Sequence, residues 1–79
     1  MKLVLFARAR EVAGRAADEF EAGDLESVLL AAGDRYGDDF VAVLATARVW
    51  VNGDEPADGL HTALRDGDEV AVLPPVSGG

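Results

Sequence analysis

The sequence predicts an α+β roll, with one main helix lying across a mixed sheet of four or five strands. Three observations carry that expectation. Short apolar runs, "KLVLFARA" and "EVAVL", stand near the two ends of the chain, and one long stretch of helical periodicity lies between them. The elements follow the order hairpin, helix, strands, without the strand–helix alternation that builds a doubly wound sheet.

"KLVLFARA" is rich in Leu, Val and Phe and apolar at both alternating sets of positions, which suits a strand in the middle of a sheet covered on both sides. Gly14 is read as a turn residue, and in "AADEFEAG" Ala17, Glu19 and Glu21 alternate with Asp18 and Phe20 as in an exposed hairpin partner. Leu25, Val28, Leu29, Ala32 and Tyr36 recur at helical spacing. Asp24 is placed to cap that helix, Glu26 lies in its first turn and Gly37 supplies the stop. "DDFVAVLATA" allows a short second helix, and "ARVWVNGDEPA" reads as a strand, an Asn52-Gly53 turn and a brief return stroke. Gly59 to Leu64 is expected to be a loop with one turn of helix, and "RDGDEVAVLPP" an Asp-Gly turn leading into a last strand. The first and last strands, the most continuously apolar, are the expected central pair.

Seventy-nine residues make one domain (1–79) near the size where a single core just suffices, with little room for a deep active site. Seven basic against 15 acidic side chains leave a net charge of −8, which opposes nucleic acid and anionic lipid and favours a partner with a basic surface. The absence of cysteine excludes disulfides, thiolate metal sites and thiol nucleophiles. The opening "MKLVLFARAR" carries no small-residue cleavage site, and no apolar run approaches the ~20 residues of a membrane span. The expectation is a soluble, cytoplasmic protein.

Candidate chemistry inside the domain is sparse. His61 is the single histidine and has no cysteine to share a metal with, so it reads as a loop residue. Ser77 lacks a base or oxyanion donors. "DGDE" has a fragment of calcium-loop spacing but not the remaining ligands, and "NGDEPADG" has neither the lysine nor the helix of a nucleotide loop. No resident metal or cofactor is expected.

The feature that a fold does not require is the tail, residues 74–79, "PPVSGG". Pro74 and Pro75 stiffen it by fixing their own φ and biasing the preceding residues toward extended geometry. Gly78 and Gly79 lack Cβ atoms, so they can thread a narrow channel. Extended, Pro74 to Gly79 reach roughly 20 Å. An α-carboxylate, with a pKa of about 3.5, is a poor electrophile until a partner activates it, as adenylation would.

"VLFARAREVAG", "VNG" and above all "LRDGDEVAVLPPVSGG" resemble the small, sulfur-carrying subunit of molybdopterin synthase, a β-grasp family related in fold to ubiquitin. The resemblance implies that an activating enzyme uses ATP to adenylate the carboxylate of Gly79, and that a sulfur donor then converts it to a thiocarboxylate. It implies that Pro74, Pro75, Val76, Ser77, Gly78 and Gly79 insert into the large synthase subunit. There the sulfur passes to cyclic pyranopterin monophosphate, and the catalytic residues belong to the large subunit. Phe6 and Leu73 match family positions on the sheet face that docks both partners. Glu55 and Pro56 depart from the family, which often has an apolar residue after the central turn. A sulfur carrier of another pathway and a ubiquitin-like protein modifier share the same tail logic and are the alternative readings.

Overall fold

The structure, a computed structural model, describes residues 1–75. Four strands form one sheet in the order β2-β1-β4-β3: β1 (Lys2–Leu5), β2 (Ala17–Glu19), β3 (Arg48–Val51) and β4 (Glu69–Leu73). β1 runs parallel to β4 at the centre, Lys2 opposite Glu69 through Leu5 opposite Val72, while β2 and β3 flank the pair antiparallel. The mixed sheet and its central pair are as expected from the sequence. The return stroke after Asn52-Gly53 amounts to one bridge between Val51 and Asp54. Asn52 and Gly53 have φ of 51° and 84°, the left-handed pair that a two-residue hairpin turn requires.

Helix α2 (Leu25–Tyr36) is the long one, and its cap is built as the sequence predicts. The Asp24 carboxylate accepts from the Ser27 N–H at 2.8 Å, and the Ser27 hydroxyl donates to the Asp24 carbonyl at 2.8 Å. That backbone N–H is the main reason the Asp24 carboxyl is held below its ordinary range. Leu25, Val28, Leu29 and Ala32 are buried, each large apolar side chain contributing about 1.5–3 kcal/mol. The short second helix forms as α3 (Asp38–Leu44), burying Phe40, and the turn of helix at Gly59–His61 is a 3-10 turn.

Two expectations are corrected near the start of the chain. The first strand stops at Leu5 instead of running to Ala9, and Ala7–Ala13 form a helix, α1, that ends at Gly14 with a φ of 77°. β1 and β2 are thus joined by a helix and not by a tight turn. Ala-rich "ARAREVA" has high helix propensity, and Ala9, Val12 and Ala13 at helical spacing meet the core. The switch occurs at Ala7, whose φ of 49° turns the chain and costs roughly 1–2 kcal/mol for a residue with a Cβ.

The sheet is also covered on one face, not two. Leu3, Leu5, Val70 and Val72 pack with Ala9, Val28 and Phe40 from the three helices in a single core. The opposite face of the central strands carries no such layer among the described residues. β2 is tied to α2 by Asp18, which accepts from the Tyr36 hydroxyl at 2.7 Å and Arg35 at 2.9 Å, with Arg15 at 3.1 Å. The Tyr36 hydrogen bond and the arginines hold the Asp18 carboxyl down at about 2, and burial with the adjacent carboxylate pushes Tyr36 up to about 12.

Candidate functional site

Alternation along a strand places every second side chain on the uncovered face. Val4, Ala71 and Trp50 stand opposite one another across β1, β4 and β3, forming one continuous row. Leu73, paired with Arg48, begins the next row. The Phe6 N–H continues the β1–β4 ladder by donating to the Val72 carbonyl at 3.2 Å, so Phe6 arrives beside Leu73. Val4, Trp50, Ala71 and Leu73 are half-buried and Phe6 is 45% exposed. None of the five belongs to the side chains packed against the core.

The patch is polarised along the strands. At its far end Lys2 lies between Glu19 and Glu69 in register, whereas the apolar rows crowd the end where β4 hands the chain out. Pro74, the first residue past β4, is buried, and Pro75 is exposed. The described chain therefore leaves the packed domain between Pro74 and Pro75, next to Phe6 and Leu73. Desolvating such aromatic and aliphatic anchors is the usual source of binding energy.

Phe6, Leu73, Pro74 and Pro75, the sequence-predicted site residues that the structure describes, are brought together. Val76, Ser77, Gly78 and Gly79 lie outside the described residues. Val4, Trp50 and Arg48 join the face without having been singled out from sequence. The signal was present in "RVWV", where Arg48 and Trp50 share one side of a strand. Glu55 and Pro56 border a depression of about 220 Å³ with Arg48, Val49 and Trp50, so the departure from the family pattern falls at the β3 rim of this face. The β3 turn is held firmly there. Asn52 donates to the Asp68 carboxylate at 3.0 Å and accepts from the Glu69 N–H at 2.9 Å. The bond from Asn52 Nδ2, followed by the one from the Arg65 N–H, holds the Asp68 carboxyl below its ordinary range. "DGDE" is thus a turn, and His61 is an exposed residue of the 3-10 turn. Among the described residues no three His, Asp or Glu side chains group as metal ligands, and no helix is long and apolar enough to cross a membrane.

The model of the ThiS family matches residues 3–79. The chain belongs to the ThiS family. A relative from Chlamydomonas reinhardtii, a molybdopterin synthase sulfur carrier subunit, is 36% identical over 85 residues that span 100% of this chain and 98% of the relative. Small archaeal modifier protein 1 from Methanosarcina acetivorans superposes with a TM-score of 0.87 at 32% identity, over 99% of this chain and 94% of that one. The complex of subunits 1 and 2 of molybdopterin-converting factor from Helicobacter pylori contains a chain matched at 26% identity and a TM-score of 0.65, over 99% of this chain and 96% of that one. With these relatives the sheet order and the helix across it are those of the ubiquitin-like β-grasp fold, as the resemblance implied.

Proposed function

We propose that this ThiS-family protein is the sulfur carrier of a molybdopterin synthase. The carboxylate of Gly79 attacks the α-phosphate of ATP within an activating enzyme, releasing pyrophosphate and leaving an acyl-adenylate. Sulfide-level sulfur from a donor then attacks the acyl carbon and expels AMP, leaving a thiocarboxylate. The carrier docks through Phe6, Leu73 and Trp50, and residues 74–79 enter the large subunit. There the thiocarboxylate sulfur bonds to cyclic pyranopterin monophosphate, and water attacks the acyl carbon, breaking the C–S bond, so that sulfur stays on the pterin and the terminus returns to a carboxylate. On this reading the chain holds no cofactor of its own, and ATP is a substrate of the activating enzyme.

The observation that carries this reading is the full-length similarity to the Chlamydomonas sulfur carrier subunit. The sheet geometry supports it by placing an apolar face at the root of the tail. The test is intact mass after incubation with an activating enzyme, ATP and a sulfur donor. One oxygen is expected to be replaced by one sulfur, and the change reversed when the large subunit and pterin are added. A chain lacking Gly78 and Gly79 is expected to melt like the full chain and show no mass change. The second reading, a protein modifier, is favoured by the likeness to small archaeal modifier protein 1. The same acyl-adenylate attacked by a lysine amine gives an isopeptide. Stable lysine conjugates with no thiocarboxylate would replace the first reading with this one.

A further inference from the structure

We propose that the groove between α2 and α3, on the helix side of the sheet, is a second docking site that takes a basic amphipathic helix of another protein. Among the described residues four large apolar side chains are strongly exposed: Phe6 at 45%, Leu30 at 65%, Val41 at 49% and Leu60 at 49%. Phe6 belongs to the tail face. The other three all line a single open groove of about 560 Å³. Its depth depends on Gly33, since a Cβ there would meet Val41 Cγ2 at 3.0 Å. A glycine in mid-helix costs about 1 kcal/mol relative to alanine, and here it leaves open space between two helices. The groove lies on the opposite side of the sheet from Phe6, Trp50 and Leu73, so an occupant would not displace a partner from the tail.

Charge decides the occupant. Glu26, Asp34 and Asp38 stand around the apolar lining, and no Lys or Arg lines it among the described residues. A second copy of this chain, at net charge −8, and an anionic lipid surface would both bring like charge to that rim. A helix with leucines at positions three and four apart and Lys or Arg at its flanks satisfies both features, its apolar stripe filling the channel and its cations meeting the carboxylates. The site makes no use of the tail, so it stands apart from the sulfur-carrier reading.

The probe is a synthetic helical peptide with such a leucine stripe and lysine flanks, titrated into the ¹⁵N-labelled full chain. Its control is the same peptide with glutamates in place of the lysines. Amide shifts are expected in α2, α3 and the 3-10 turn, with the lysine peptide binding at least about tenfold tighter and the gap narrowing at roughly 0.5 M salt. Leu30→Ser with Val41→Ser is expected to weaken binding about tenfold or more. Both side chains are exposed, so the native amide spectrum should be retained, as should thiocarboxylate formation at Gly79 where that occurs. The proposal is overturned by shifts confined to the sheet face, by no shifts, by equal binding of the two peptides, by a folded variant that binds normally, or by self-association that occupies the same amides.

Discussion

The two faces of β1 and β4 are made from the same strands, yet they have opposite characters. Leu3, Leu5, Val70 and Val72 are 0–1% exposed against the helices, while Val4, Phe6, Ala71 and Leu73, one residue along in each case, remain partly open to water. Both sets are apolar. A strand that alternates apolar with apolar usually signals burial on both sides, and here one of those sides is left uncovered among the described residues. On the proposed reading, stability and recognition are separated by a single step of the pleat, and substitutions should separate them too.

The largest expected effect lies on the covered face. Leu5→Ala should cost about 2–5 kcal/mol, from lost transfer energy and the residual cavity. In a domain of this size each 1 kcal/mol is roughly 4–8 °C in Tm. A loss within a few degrees would mean that the core face is not continuous. On the open face, Phe6→Asp, Leu73→Asp or Trp50→Ala should weaken binding to the large subunit by about 2 kcal/mol or more, because each removes an apolar anchor or places a charge in a desolvated contact. Circular dichroism must show a native fold for each variant; unchanged affinity in a folded variant would move the interface off this face.

A smaller effect is expected at the β2 edge, where Asp18, in register with Leu3, ties the strand to α2. Asp18→Asn should cost about 1 kcal/mol through weakened hydrogen bonds in a solvent-accessible setting. The folded Asp18 carboxyl ionises near 2 against an ordinary 3.8, so its contribution is full above the higher value and is lost as pH falls toward the lower one. The stability difference between the variant and the natural chain should shrink across that window. A difference that stays constant with pH would assign the loss to packing instead. The smallest effect is expected at Ala7, where glycine would relieve the left-handed backbone at the root of Phe6 but gain freedom when unfolded, for a net gain of about 0.5 kcal/mol. A loss of stability there would show that the Ala7 methyl packs usefully.

Much of this was legible before any coordinates. α2 was readable because its cap, periodicity and stop all agree, and β4 because an apolar run follows an Asp-Gly turn. Phe6 and Leu73, named through family resemblance, stand side by side on the uncovered face. α1 was missed because it is only seven residues long, has no side-chain cap, and follows an apolar run that masks its onset. Its Ala9–Val12–Ala13 spacing was the available signal. The uncovered face was misassigned because apolar residues left open look the same in sequence as residues packed in a core. Trp50 and the groove beside Leu30 depend on which strands and helices become neighbours, and that is tertiary information.

The parallel pairing of β1 with β4 also carries a kinetic consequence. Lys2 meets Glu69 and Leu5 meets Val72, so the centre of the sheet joins segments from nearly opposite ends of the described chain. Contacts so remote in sequence slow folding, because a long loop must close before they stabilise anything. On a ribosome β1 emerges early and, though β2 can pair with one edge, its other edge waits until β4 has cleared the exit tunnel. The Val4–Ala71–Trp50 row cannot assemble before then, so anything that recognises this face would find it only once β4 has paired with β1.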